Sequence, residues 1–335
     1  MFVDAVGGIA ADPAELEAAA VAAEAAGYDG FGAPETAHDV FVALALAARA
    51  TSRITLQSAI AVAFARNPMS LAMLANDVQL VSGGRFQLGL GSQVRAHIER
   101  RFGMPWSRPA ARMEEYVTTV RAIWRRFETG ERLHLNGEFY RHTLMTDFFD
   151  PGPNPYGNPP VLVAAVGQGM TEVAGRVADG VLCHSLTTAD YLREVTLPAA
   201  RRGGAGPLFT VALSAFAVLG ADAAERARAE AGVRRQLAFY ASTPAYRPVL
   251  ELHGWGGLQD RLGRLARQQA WDEMGAAVGD DVLDAFAVSG TPAEVAARLR
   301  DRYGTLVDRL SLNTPYEVDP AEVAAALAPL RTTGG

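Results

Sequence analysis

The stretch RITLQSAIAVAFARNPMSLAMLANDVQLVSGGRFQLGLG, residues 53–91, carries the architecture of the whole chain in miniature. RITLQSAIAVAF (53–64) reads as a strand. Asn67 caps and Pro68 opens a helix that runs to about residue 81. Ser82-Gly83-Gly84 turns the chain, and RFQLGLG (85–91) reads as a second strand. Strand, helix and strand joined by short turns make a parallel βαβ unit. One feature is odd. The middle of the first strand, Ser58-Ala59-Ile60-Ala61-Val62-Ala63, uses mostly small side chains where core strands normally carry Val, Ile and Leu. Something must fill the room they leave.

The same unit repeats on both sides. FVDAV (2–6), YDGFGA (28–33), VLVAAV (161–166), GVLCHSL (180–186), FTVALSAFAVL (209–219) and LVDRLSL (306–312) read as further strands, with helical segments between them. Asp12-Pro13-Ala14-Glu15 and Thr291-Pro292-Ala293-Glu294 are capping boxes, and Asp319-Pro320 caps the last helix. Eight strands alternating with helices predict an α/β fold, a (β/α)8 TIM barrel. A doubly wound open sheet needs a G-x-G-x-x-G turn after the first strand, and that position holds only Gly7-Gly8. Residues 1–335 read as one barrel domain with insertions at about 131–160 and 243–284. The first insertion holds a hairpin signal at Asn136-Gly137, read as a type I′ turn, and a Pro-rich connector at 150–160. The second is mostly helical and contains His253-Gly254-Trp255-Gly256.

Composition removes several classes of function. All 31 basic residues are arginine. Without lysine there is no Schiff base, no pyridoxal-phosphate lysine and no Walker-type phosphate lysine. The net charge of −6 and the lack of a basic, aromatic-interleaved stripe argue against nucleic acid as a partner. Apolar runs are Ala-rich and interrupted, so no membrane span is expected. The N-terminus enters a strand directly, with no signal-peptide pattern. The single cysteine, Cys183, excludes an internal disulfide and fits a reducing cytoplasm.

Barrel enzymes place their chemistry at the C-terminal ends of the strands. Glu35, Thr36, His38 and Asp39 follow the second strand there. A carboxylate at Glu35 can exchange protons or cap the helix that begins near Asp39. His38 and His184 are acid–base candidates or hydrogen-bonded structural histidines. Val166-Gly167-Gln168-Gly169-Met170 leads from a strand into a helix. Its amides can hold a phosphate, or its glycines can serve a tight turn with positive φ. Cys183 reads as a small buried hydrophobe. The six histidines form no zinc spacing, so no metal site is expected. Arg95, Arg100, Arg101 and Arg108 form a charged loop after the fourth strand. Trp106 and Trp255 line a pocket or pack in the core.

AIAVAFARNPMSLAMLANDVQLVSGGRFQLGLGSQ resembles the strand–helix–strand core of the luciferase-like monooxygenase superfamily. AAVGQGMTEVAGRVADG resembles its phosphate turn. PETAHD, HIERRFGMPWSRPAARM, FYRHTLMTDFFDPGPNPYG and FYASTPAYRPVLELHGWG resemble an actinobacterial branch of F420-dependent oxidoreductases. The resemblance implies a TIM barrel of the bacterial-luciferase type, with an open pocket for a flavin or deazaflavin. It also implies a third-strand bulge with a non-proline cis peptide, at Ser58-Ala59 or its neighbour, against which the tricyclic ring rests. Carried over by position, Ser58, Ala59 and Ile60 lie behind the ring, and Ser92 and Gln93 lie near its edge or the ribityl chain. Gly167, Gln168, Gly169 and Met170 lie at the phosphate, with Ser185 a further contact. Glu35 and His38 are the proton-handling candidates.

Some family signatures are absent. Relatives acting on sugar phosphates carry Asp-His where this chain has Glu35-Thr36, and a glutamate where it has Val94. The methylene-pterin reductases carry an acid where it has Val6-Gly7. The implied activity is hydride transfer between coenzyme F420 and a small-molecule substrate. Reduced FMN with oxygen is the alternative, and a cofactor-binding protein without turnover is a third reading. The resemblance also implies a homodimer.

Overall fold

The computed structural model describes residues 1–331. Its central strands are β1 (Phe2–Val6), β2 (Gly30–Ala33), β3 (Thr55–Ser58), β4 (Phe86–Gly91), β5 (Val161–Ala165), β6 (Gly180–Cys183), β7 (Thr210–Leu219) and β8 (Arg309–Asn313). Each pairs in parallel with the next, and β8 pairs back onto β1. The result is a closed eight-stranded barrel ringed by helices, the expected (β/α)8 fold. A further short strand, Ala287–Gly290, adds in parallel to the outer end of β7.

The helices start where their caps dictate. Asp12 and Thr291 both complete reciprocal capping boxes, with Glu15 and Glu294. Asn67 accepts the Ser70 N–H at 2.9 Å. At the barrel floor an aspartate just ahead of three strands fixes register. Asp29, Asp179 and Asp308 accept the N–H of Val3, Val161 and Val211 at 2.7, 2.7 and 2.8 Å. Each also returns its own N–H to the same residue's carbonyl.

The lower barrel interior is polar, where branched aliphatics are usual. Arg309 of β8 donates two hydrogen bonds to Asp4 of β1, at 2.8 and 2.5 Å. Gly30 leaves space for this pair, since a Cβ there would lie 2.4 Å from both partners. Burial pushes the Asp4 carboxyl up even with Arg309 beside it. Gln57 and Gln87 bond to each other across β3 and β4 at 3.1 Å.

Three local readings need correction. The third strand does not run through residues 53–64. It stops at Ser58, and after a bulge at Ala59 and Ile60 the chain makes two further strand residues, Ala61–Val62, and a 3-10 turn, Ala63–Ala65. The hairpin pairs Leu135–Asn136 with Arg141–His142, but its loop is Gly137–Tyr140, longer than a two-residue type I′ turn. Glu115 organises that loop by accepting the amides of Glu138, Phe139 and Tyr140 at 2.9, 2.8 and 2.7 Å. Gly167 has φ −79°, so the turn after β5 does not need a left-handed residue.

The segment after β7 runs through helices Ala223–Ala241, Arg247–Leu252, Gly256–Arg267, Trp271–Ala276 and Asp280–Phe286. These build a second apolar cluster around Leu237, Leu262, Phe286 and the β7 residues Phe216 and Val218. The cluster holds the helices over the β6–β7 side of the barrel mouth.

Candidate active site

The bulge after β3 is where the small residues matter. The Ala59–Ile60 peptide is cis. Ser58 does not face a pocket. It is fully buried, and its Oγ accepts the Gly89 N–H at 2.9 Å and donates to the Gly89 carbonyl at 2.8 Å. Its hydroxyl is therefore spent on strand β4. Neighbouring strands make room for the bulge with glycine. A Cβ on Gly89 would lie 2.0 Å from the Ser58 carbonyl oxygen, and one on Gly91 would lie 2.7 Å from Ile60 Cδ1. A Cβ on Gly32 of β2 would lie 3.2 Å from the Ala59 Cβ. The space left by small side chains is thus taken by backbone. Ala59 and Ile60 remain half-buried, presenting a small apolar surface at the mouth.

Glu35 braces this bulge. Its Oε2 accepts the Val62 N–H at 2.6 Å, and Arg66 grips both carboxylate oxygens. Arg66 also bonds Asp39 at 2.7 Å. Burial would lower the Arg66 guanidinium, but its hydrogen bonds and charge pairing with Glu35 and Asp39 outweigh that and raise it above its ordinary value. The Glu35 side chain is 7% exposed. This geometry makes it a strut between the ends of β2 and β3, since releasing a proton carrier here would require breaking the Arg66 fork. Capping falls to Asp39, which accepts the Phe41 N–H at 2.9 Å. His38 is exposed in the same loop and has no hydrogen-bonding partner among the described residues.

At the end of β4, Ser92 and Gln93 are half-buried. Gln93 is left-handed, with φ 59°, and its side chain accepts the Val94 N–H at 2.9 Å. The helix Gln168–Val177 starts at the end of β5, and no side chain caps its N-cap residue, Gly167. A Cβ on Gly167 or Gly169 would meet nothing within 4 Å. Neither φ nor packing explains these glycines, whereas open space above uncapped helix amides suits an anion.

At the end of β6, Ser185 accepts the Asn313 Nδ2–H at 2.9 Å. His184 accepts the Leu186 N–H on Nδ1 at 3.0 Å. Its ring stacks on Tyr246 at 4.4 Å and meets the edge of Tyr240 at 4.5 Å. Burial lowers the His184 imidazole to about 4, so it is neutral at pH 7. Burial likewise pushes the Cys183 thiol up to about 12, which makes it a poor nucleophile. His253 pairs with Thr188 at 2.9 Å and stacks on Trp255. Trp106 packs edge-on against Phe64 at 5.8 Å. In the loop after β4, Arg95 pairs with Glu99, Arg101 with the Thr36 carbonyl and Arg108 with Glu138.

The family model described as luciferase-like monooxygenase matches residues 3–309. The chain belongs to the luciferase-like monooxygenase family. Among this family's members, an uncharacterised Mycobacterium tuberculosis protein is 50% identical over 297 residues, 87% of each chain. Another from that organism, named for coenzyme F420-dependent oxidoreductase activity by inference, is 30% identical over 83% of each chain. The coenzyme F420-dependent tetrahydromethanopterin reductase of Methanopyrus kandleri superposes with TM-score 0.78 at 19% identity, covering 97% of this chain and 96% of that one. This last likeness is one of fold.

Sequence reasoning passed over Arg66, Asn313, Tyr240 and Tyr246. Asn313 had a signal in its place directly at the end of the last barrel strand. The two tyrosines sit inside FYASTPAYRP, a stretch that carried the family resemblance without any role assigned to its residues. Nothing in the sequence ties Arg66 to Glu35, because the pair is 31 residues apart and meets only through the closed barrel.

Proposed function

We propose that this enzyme is an F420-dependent oxidoreductase that moves a hydride between the deazaflavin and a small organic substrate. Three consecutive strand ends carry the reading. The bulge on β3 offers a flat apolar rest, Ser92 and Gln93 on β4 a polar edge, and the uncapped helix start after β5 an anion cradle. That sequence matches a cofactor built of a tricyclic ring, a polyol chain and a phosphate. When bound, such a cofactor supplies two electrons as a hydride.

The chain's own part is positioning. Ala59 and Ile60 back the ring, while Glu35 and Arg66 hold that support in place from behind. The amides of Gln168, Gly169 and Met170 receive the phosphate, where the helix dipole favours negative charge. His38, free and at the mouth, is the group available to exchange a proton with the substrate. F420 is favoured over FMN because one sequence relative, 30% identical to this chain, is named for coenzyme F420-dependent oxidoreductase activity, by inference.

Anaerobic assays following the deazaflavin's visible absorbance test the proposal. Substrate-dependent bleaching or recovery of that absorbance is the expected result. Oxygen uptake that depends on reduced FMN would replace it with the monooxygenase reading. Tight cofactor binding with no turnover on any acceptor would leave a binding protein.

A further inference from the structure

The turn from β5 into the helix Gln168–Val177 has two consecutive carbonyls pinned. The Val166 carbonyl accepts the Tyr191 hydroxyl at 3.1 Å. The Gly167 carbonyl accepts both the N–H and the hydroxyl of Thr171, each at 3.1 Å. A peptide unit is planar and trans, so its N–H points away from its carbonyl. Pinning these carbonyls therefore fixes the directions of the Gly167 and Gln168 N–H groups. Neither N–H has an acceptor among the described residues.

The two anchors differ in origin. Thr171 lies four residues on in the same helix, and a hydroxyl bonding back over one turn is ordinary helix chemistry. Tyr191 lies 25 residues away, beyond β6, and is buried. Burial pushes its phenol up from the ordinary value, so at neutral pH it is protonated and donates. Tyr191 is itself held. The Thr188 hydroxyl oxygen accepts the Tyr191 N–H at 3.0 Å and lies 2.9 Å from His253 Nε2. His253 stacks on Trp255 at 4.6 Å, between the helices Arg247–Leu252 and Gly256–Arg267. The Tyr191 ring packs in the apolar cluster that these helices build. A π-helical turn, Leu192–Thr196, follows Tyr191 directly, and such turns recur at functional sites.

We propose that Tyr191 is a positioning residue for the cofactor phosphate: by holding the Val166 carbonyl, it aims the Gly167 N–H into the anion cradle. His253 and Thr188 carry that hold from the helical segment after β7, which gives the segment a share in cofactor affinity. The inference rests on the cofactor reading above.

The test compares two ligands, oxidised F420 and its deazariboflavin fragment, which keeps the ring and ribityl chain but lacks the phosphate. Each is titrated by fluorescence into wild type, Tyr191→Phe, His253→Ala and the double variant. Tyr191→Phe keeps the packed ring and loses only the hydroxyl. It should weaken F420 roughly three- to tenfold, as for one neutral hydrogen bond, and leave fragment affinity within about twofold of wild type. A residue that merely supports the fold would weaken both ligands alike. His253→Ala should weaken F420 at least about twofold, and should add nothing in the Tyr191→Phe background, because residues acting in one chain of contacts are not additive. Thermal melting checks that each variant is folded. If Tyr191→Phe is not, the loss of F420 relative to fragment affinity in His253→Ala, at a half-buried position, decides alone. Wild-type F420 affinity in folded Tyr191→Phe, or an equal loss for the fragment, would overturn the role of Tyr191. Additive losses in the double variant would overturn the link to the helical segment. Failure of the wild type to bind F420, or equal wild-type affinity for F420 and the fragment, would instead overturn the cofactor reading at the phosphate, and this proposal with it.

Discussion

Gly167 and Gly89 look alike in sequence, each a glycine at a barrel strand, but the structure gives them opposite roles. Gly167 has φ −79°, and a Cβ there would meet nothing within 4 Å. Gly167→Ala should therefore leave the fold intact or stabilise it by up to about 1 kcal/mol, through a less flexible unfolded chain. If the space above it belongs to a cofactor phosphate, the methyl enters that space, and F420 affinity should fall at least about tenfold, or ~1.4 kcal/mol. Gly89 is the converse. A Cβ there would stand 2.0 Å from the Ser58 carbonyl oxygen, which is backbone and cannot swing away. Gly89→Ala should cost roughly 2–3 kcal/mol of stability, the upper range for overpacking. Urea unfolding reads the first quantity and fluorescence titration with F420 the second. A destabilised Gly167→Ala would mean the turn itself needs glycine. A stable Gly167→Ala that binds F420 as tightly as wild type would remove the phosphate from that helix.

Glu35→Gln should destabilise the protein by roughly 2–3 kcal/mol, because it strips a charge-assisted fork from Arg66 while keeping an acceptor for Val62. Its turnover should keep the wild-type pH profile, and a shifted profile in the folded variant would return Glu35 to proton transfer. His184 is held near 4 in the fold against about 6.5 when exposed, so the unfolded chain binds the extra proton between those values. Stability from this group is thus complete above about pH 6.5 and lost progressively down to pH 4, by about 3 kcal/mol in all. Urea midpoints across that range should slope less in His184→Gln, and equal slopes would contradict it. Cys183, buried and pushed up to about 12, should resist iodoacetamide at pH 8 in the native state and react once unfolded. Mass spectrometry distinguishes the two.

The barrel was legible because each βα unit announces itself locally. Caps such as Asp12, Asn67 and Thr291 mark helix starts, and apolar runs between glycine turns mark strands. The bulge could be suspected from Ser58 to Ala63, yet its cause lay in Gly32, Gly89 and Gly91 on neighbouring strands, which only the closed sheet brings alongside. Glu35 shows the same limit. A carboxylate at a strand end reads as an acid–base group until Arg66 arrives from the next strand end to claim it. Asn136-Gly137 matched a local turn rule, but Glu115 on a separate helix supplied three acceptor bonds and selected a longer loop. Local chemistry was readable where the partners are near in sequence, and hidden where the barrel supplies them from afar.

The central claim is a ring-to-phosphate cofactor site running across β3, β4 and β5. A competition titration tests it most directly: purified protein with F420, then FMN added as competitor, in wild type and Gly167→Ala. Saturable F420 binding that FMN displaces poorly, and that the alanine weakens, is the predicted result. Binding of neither cofactor by a folded wild-type protein would contradict the claim.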